Sequence, residues 1–274
     1  MSYIADLIKT IVLGIIQGIT EWLPISSTGH LILFDSLWPL SPPEFFSVFK
    51  VVIQFGSILA VLFLYFKKLN PFDSSKSPQQ KKDTFSLWGK VIVGVIPAGI
   101  IGLLLDDIID GYLSANFVIA VTLIAYGIIF IIVEKHPKPV TIKKLSELDY
   151  KTSLKIGFFQ CLALIPGTSR SGATILGGLN CGCSRYVASE FSFFIAIPVM
   201  AGASLLKIVK YIMGFGLFTF WQIVLLLLGT VISFIVSVIA IRSLLNYVRK
   251  HDFTIFGYYR IALGIFVLLF FYIL

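Results

Sequence analysis

Two short runs hold most of the residues in this chain that could do chemistry. The first is Gln17-Gly-Ile-Thr-Glu21, continued by Pro24-Ile-Ser-Ser-Thr-Gly-His30. Gln17 and Glu21 are one helical turn apart and share a face. Beyond Pro24 come Ser26, Ser27, Thr28 and His30, and a hydroxyl beside an imidazole is a nucleophile and base in outline. The second run is Pro166-Gly-Thr-Ser-Arg-Ser-Gly-Ala-Thr174, which sets Arg170 among Thr168, Ser169, Ser171 and Thr174; Arg185 and Glu190 follow. Glycine-rich turns free backbone N–H groups to hold an anion, above all at a helix N-terminus. A guanidinium adds a fixed fork that matches phosphate oxygens. A nearby carboxylate, here Glu21, can hold a divalent ion or orient the histidine. The residues by themselves describe an anion site with hydrolytic potential.

Both runs interrupt very apolar sequence. The chain has 274 residues, is 57% hydrophobic and 13% charged, and has a mean hydropathy of +0.95. Soluble domains are about 25% charged, so this is an integral membrane protein. An arginine at the centre of a membrane helix costs roughly 2.5–3.5 kcal/mol on insertion scales, and is retained where it faces a polar cavity with a partner. Each polar residue also has an ordinary explanation. Membrane Ser and Thr often bond back to helix carbonyls, and a lone Glu can pair with a lone Arg. A dense cluster split over two loops is poorly explained that way.

Apolar runs of helix-spanning length predict six crossings, at about 48–66, 88–105, 117–134, 191–213, 220–241 and 257–274. Two further segments, about 7–33 and 156–179, are apolar but broken by Pro, Gly and Ser. Irregular backbone at membrane depth survives only inside protein or beside a watery cavity, so both are expected to be re-entrant helix–loop–helix hairpins. They also resemble each other. Laid over one another in a single register, Gly14 meets Gly157, Gln17 meets Gln160, Ser26 meets Ser169 and Gly29 meets Gly172. In a nearly identical register further on, Glu44-Phe45 meets Glu190-Phe191 and Gly56 meets Gly202. The expected fold is all-α and polytopic: one membrane domain, 1–274, of two repeats at about 1–134 and 151–274. Three crossings per repeat invert the second repeat in the membrane, and such folds place their sites near the midplane.

The net charge of +8 is concentrated in two intervals. One holds Lys67, Lys68, Lys76, Lys81, Lys82 and Lys90; the other holds Lys135, Lys138, Lys143, Lys144, Lys151 and Lys155. Asp106–Asn116 has three aspartates and no Lys or Arg, and Phe34–Ser47 has no Lys or Arg. This is a positive-inside pattern rather than a nucleic-acid footprint, and it puts the lysine loops in the cytoplasm. Arg242, Arg249 and Lys250 then fall inside as well, while Lys207 and Lys210 fall near an outer end and fit less well. Cys161, Cys181 and Cys183 make neither a disulfide framework nor, with His136 and His251, a zinc site. No cleavable signal peptide is expected at the start, where Gln17 and Glu21 interrupt the apolar run.

The two quoted runs, together with Ser184-Arg-Tyr-Val-Ala-Ser-Glu-Phe-Ser-Phe193, resemble the signature motifs of the bacterial undecaprenyl-diphosphate phosphatases of the bacitracin-resistance type. The resemblance covers essentially the whole chain. It implies an inverted-repeat fold with two re-entrant hairpins in the bacterial cell membrane. It also implies removal of the terminal phosphate from undecaprenyl diphosphate, which recycles the lipid carrier of peptidoglycan synthesis, and dependence on Mg2+ or Ca2+. On that basis Arg170 clamps the phosphates, Glu21 with Gln17 beside it holds the cation, and Ser27 attacks with His30 as base. Attack by water or by the histidine itself stays open. Ser26, Thr28, Ser169, Ser171 and Thr174 orient the substrate. The family motif begins with Glu or Gln, and Gln17 leaves Glu21 as its only acid. The expected partners are the polyprenyl diphosphate and membrane lipid, a homodimer being compatible, with the site facing outward. The competing class is a polyprenyl-phosphate transporter, since carriers also use broken helices in inverted repeats.

Overall fold

The computed structural model describes the backbone of residues 3–108 and 116–272. The aspartates of the Asp106–Asn116 stretch lie outside the described side chains. The architecture is all-helical. Helix α1 (Tyr3–Thr20) stops just before the Pro24 break, and α2 (Ser27–Leu37) starts after it. Then follow α3 (Pro43–Leu64), the short α4 (Phe66–Leu69), α5 (Pro78–Ile108) and α6 (Asn116–Lys135). The second half repeats the series: α7 (Tyr150–Cys161), α8 (Arg170–Asn180), α9 (Arg185–Phe215), α10 (Phe220–Tyr247) and α11 (Thr254–Tyr272).

Local chemistry sets the helix starts. Pro43 sits in the first turn of α3, where a missing N–H costs nothing. Asp149, Ser184 and Thr219 cap α7, α9 and α10 through their side chains. The lysine-rich loop before α7 is ordered the same way: Glu147 accepts the Lys143 and Lys144 N–H groups at 2.7 and 3.0 Å, which holds its carboxyl below the ordinary glutamate range.

All six expected crossings correspond to helices, α3, α5, α6, α9, α10 and α11. Among the described residues seven helices are long and apolar enough to cross a membrane, the seventh being α1. The first expected hairpin is therefore unequal, with an 18-residue arm of spanning length followed by the 11-residue α2. An 11-residue helix is about 17 Å long, too short for a ~30 Å hydrocarbon core. In each broken segment the second helix packs against the first, α2 on α1 and α8 on α7.

Helix pairing follows one scheme throughout. α1 packs on α10 as α7 packs on α5, and α3 packs on α10 as α9 packs on α5. The pairs α3–α9 and α6–α11 join the equivalent helices of the two halves. Small residues permit the closest of these approaches. A Cβ on Gly127 of α6 would stand 2.7 Å from the Gly257 carbonyl of α11, so neither helix tolerates a side chain there. Between α3 and α10, Ser57 bonds Ser233 at 2.9 Å and Ser237 at 3.0 Å in a buried hydroxyl cluster, while Ile223, Leu227, Val231, Ile235 and Ile239 make an exposed apolar stripe along α10. Polar residues inside and apolar residues outside are the pattern of a protein solvated by lipid.

Candidate active site in the membrane interior

Both breaks share one unusual backbone feature. Ser26 and Ser169, which occupy the same position in the two breaks, have φ of 71°, and they are the non-glycine residues at positive φ among those described. An L-residue there costs about 1–3 kcal/mol unless its surroundings hold it. Each serine is held by capping the helix that follows: Ser26 Oγ accepts from Gly29 N at 3.4 Å and Ser169 Oγ from Gly172 N at 3.2 Å. The caps fix the starts of α2 and α8, whose first residues are Ser27 and Arg170.

Glu21 joins the two. Its Oε1 accepts from Arg170 Nη2 at 2.9 Å, and its Oε2 accepts from both Ser27 Oγ and Gln17 Nε2 at 2.8 Å. Arg170 Nη1 donates to the Ser192 carbonyl at 2.9 Å, and the guanidinium lies 5.3 Å from the Trp22 ring centroid. Thr174 Oγ1 and Ser192 Oγ are 2.6 Å apart, so α9 supports the arginine from behind. Ser171 reaches across to the Leu23 carbonyl at 3.2 Å and shares a hydrogen bond with Ser169 at 3.1 Å. Glu21, Ser26, Ser27 and Thr28 of the first break and Ser169 and Arg170 of the second line one cavity of about 210 Å3. The expected catalytic residues meet there, with one exception, while Gln17, Ser171 and Thr174 join them by hydrogen bonds without lining the cavity.

That exception is His30. It was expected to act as base for Ser27, but its ring points elsewhere. Nδ1 lies 2.7 Å from the Ser26 carbonyl and Nε2 lies 2.7 Å from the Tyr259 hydroxyl, with the two rings stacked. A carbonyl only accepts, so Nδ1 carries the proton, and in the neutral ring Nε2 accepts from Tyr259. Neither nitrogen is left for Ser27, whose hydroxyl donates to Glu21 instead. His30 lines a separate, largely apolar groove with Leu23, Ile25 and Tyr259. Arg185 and Glu190 also stand apart from the cavity. Arg185 binds Glu134 with contacts of 2.6–3.1 Å, and Glu190 binds Lys68 at 2.8 Å.

Several site residues escaped the sequence reading. Ser192, within the quoted Ser184–Phe193 run, and Met200, within the apolar run that predicts a crossing, lie on α9 within 3.4 Å of Arg170. Gln160 is the counterpart of Gln17 in the second broken segment. It is 1% exposed, lines the cavity, and neither its amide oxygen nor its nitrogen has a partner. Arg170 Nε and Gln17 Oε1 are likewise buried without partners. Gln160 and Arg170 both line the cavity, and their orphaned polar atoms point to a polar ligand there.

The donor set also bears on a cation. Among the described residues no three His, Cys, Asp or Glu side chains converge. Glu21 and the unpartnered Gln17 and Gln160 oxygens are too few for an all-protein calcium cage. They fit a hard ion of the magnesium type, which takes one or two carboxylates and completes its shell with water and substrate phosphate.

Fold and site thus define a multi-pass membrane protein with a polar cavity where two broken helical segments meet. The profile of the family described as bacitracin resistance protein BacA matches residues 10–266, and the chain belongs to that family. Undecaprenyl-diphosphatase 1 of Clostridioides difficile (strain 630) is 56% identical over 270 residues, 98% of this chain and 97% of that protein. Undecaprenyl-diphosphatase of Enterococcus faecalis is 54% identical over 263 residues, 95% of each chain, and that of Acetivibrio thermocellus is 53% identical over 269 residues, 97% and 98%.

Proposed function

We propose that this chain is an undecaprenyl-diphosphate phosphatase. It hydrolyses the terminal phosphate of the polyprenyl diphosphate, returning the monophosphate carrier to peptidoglycan synthesis and thereby conferring bacitracin resistance. The observation that carries the reading is Glu21, one carboxylate bonded to a hydroxyl of the first break and to the guanidinium of the second.

In this reading the terminal phosphate lies against Arg170, whose unpartnered Nε and the N–H groups opening α8 meet its oxygens and stabilise the charge of the transition state. Ser27 Oγ forms the bond to phosphorus as the bridging P–O bond breaks and the polyprenyl monophosphate leaves. The Ser27 proton passes to Glu21 Oε2, already within hydrogen-bond reach. Water then cleaves the phosphoserine, releasing inorganic phosphate and restoring the hydroxyl. Attack by water held at the same carboxylate is the variant of this scheme, and trapping labelled phosphate on Ser27 separates the two. A Mg2+ or Ca2+ ion at Glu21, with Gln17 and Gln160 beside it, would neutralise and orient the phosphate oxygens. Ser26 and Ser169 shape the loops, Thr28 lines the cavity, and Ser171 and Thr174 fasten the second loop to the first and to α9.

The matched pairing of helices and the twin serine turns support two inverted repeats, about 1–134 and 151–274, with α1–α2 and α7–α8 as re-entrant hairpins. The lysine loops face the cytoplasm of a bacterial cell, and the headgroup reaches the site from the outer side. All the site residues come from one chain, so a homodimer is not needed for the chemistry. The test is reconstitution in vesicles, scoring phosphate release and lipid translocation separately. Phosphate release with wild-type protein is expected. Translocation without release would replace this reading with the transporter.

A further inference from the structure

Arg260 of α11 belongs to neither polar run, yet it binds the backbone of both. Its side chain is 0% exposed. Nη1 donates to the Pro24 carbonyl at 3.0 Å and Nη2 to the Gly167 carbonyl at 2.9 Å. These carbonyls occupy the same position in each break, so one guanidinium spans the two halves symmetrically. Tyr126 lies beneath it at 5.7 Å, and among the described residues no carboxylate forms an ion pair with it.

A buried charge without a counter-ion is costly, so a purely structural need would be met more cheaply by a neutral donor. Three properties of the arginine explain it here. Its planar fork offers two N–H groups at a fixed separation, which a lysine's point charge does not. Broken backbone leaves carbonyls that must find donors inside the membrane. And the two carbonyls lie two residues before Ser26 and Ser169, the turns that aim Ser27 and Arg170 at the cavity. Arg260 itself is not part of the cavity lining.

We propose that Arg260 is a positioning residue for phosphoryl transfer. It fixes the distance between the two loops, and so the alignment of Ser27 and Glu21 with Arg170, without touching the substrate. The inference rests on the hydrolytic reading above. Misplacing reacting groups by about 1 Å can cost on the order of 10²-fold in rate, and the cost should fall on turnover rather than on substrate affinity.

The experiment compares purified full-length wild type with Arg260→Lys and Arg260→Met, measuring kcat, KM for the polyprenyl diphosphate, inhibition by orthovanadate and the melting temperature. Arg260→Lys is expected to lower kcat about tenfold or more and to weaken vanadate inhibition in parallel, because vanadate samples the same alignment as the transition state. Its KM should stay within about threefold, and the protein should fold. Folded Arg260→Lys with near-wild-type kcat overturns the proposal. So does a fall in melting temperature with vanadate inhibition unchanged, or failure of both variants to fold, since each assigns Arg260 to stability alone. No phosphate release from the folded wild type would instead overturn the hydrolytic reading, a result separate from any effect at Arg260.

Discussion

Replacing Glu21 by Gln tests the site at its centre with almost no change of shape. The carboxylate accepts three hydrogen bonds: Arg170 on Oε1, Ser27 and Gln17 on Oε2. An amide has one oxygen. With that oxygen facing Arg170, the NH2 donates to Ser27 Oγ and, once the Gln17 amide turns over, to its unpartnered oxygen; turned round, the NH2 meets the guanidinium. The first orientation keeps hydrogen bonds to Ser27 and Gln17 with their direction reversed, and in both orientations Arg170 loses its carboxylate partner. Hydrogen bonds to charged groups contribute roughly 1.5–3 kcal/mol each, and unpairing a buried ion costs about 3–5 kcal/mol. Because one orientation keeps an oxygen on Arg170, the expected loss of stability is at the lower end, about 2–3 kcal/mol. The kinetic effect is larger: with no base at Ser27, kcat should fall by about 10²–10⁴. Steady-state phosphate release and thermal melting of the same sample separate the two effects. If Glu21 serves Ser27, then Glu21→Gln and Ser27→Ala remove the same step, and the double variant should be little worse than the weaker single variant. Glu21→Gln within tenfold of wild type, or losses that multiply in the double variant, would refute the assignment.

Other perturbations address separate residues. His30→Ala should reduce turnover by loosening the Ser26 turn while leaving the shape of the kcat–pH profile intact, whereas loss of its basic limb would return His30 to the role of base. Gln160→Leu removes the unpartnered amide from the cavity and should raise KM by about tenfold, roughly one hydrogen bond to a charged ligand; titration of the substrate checks it. Chelation by EDTA should abolish phosphate release and Mg2+ restore it, with Gln17→Leu requiring more Mg2+ for half-maximal activity.

The sequence made some of this legible for clear physical reasons. The six crossings could be read because apolar runs of spanning length have few alternatives to helix in lipid. The breaks could be read because Pro24 and the Pro166-Gly167 pair disrupt helical hydrogen bonding. The common register of the two broken segments puts Ser27 opposite Arg170, and in three dimensions they meet through Glu21. Closeness in sequence pairs His30 with Ser27. The left-handed Ser26 turn presents its carbonyl to Nδ1 instead, and the second partner, Tyr259, is 229 residues away. Arg260 went unnoticed inside an apolar run because its partners are backbone carbonyls, which no residue type announces. Arg185 and Glu190 belong to local ion pairs whose partners, Glu134 and Lys68, come from distant helices.

In the proposed function the paired loops form one phosphate-releasing site clamped by Arg170. Inorganic phosphate released from undecaprenyl diphosphate by purified wild type and by folded Arg170→Ala measures it directly. The wild type should release the terminal phosphate and leave the monophosphate, and the variant should turn over about 10² or more times slower. Phosphate release by Arg170→Ala at the wild-type rate would contradict the account.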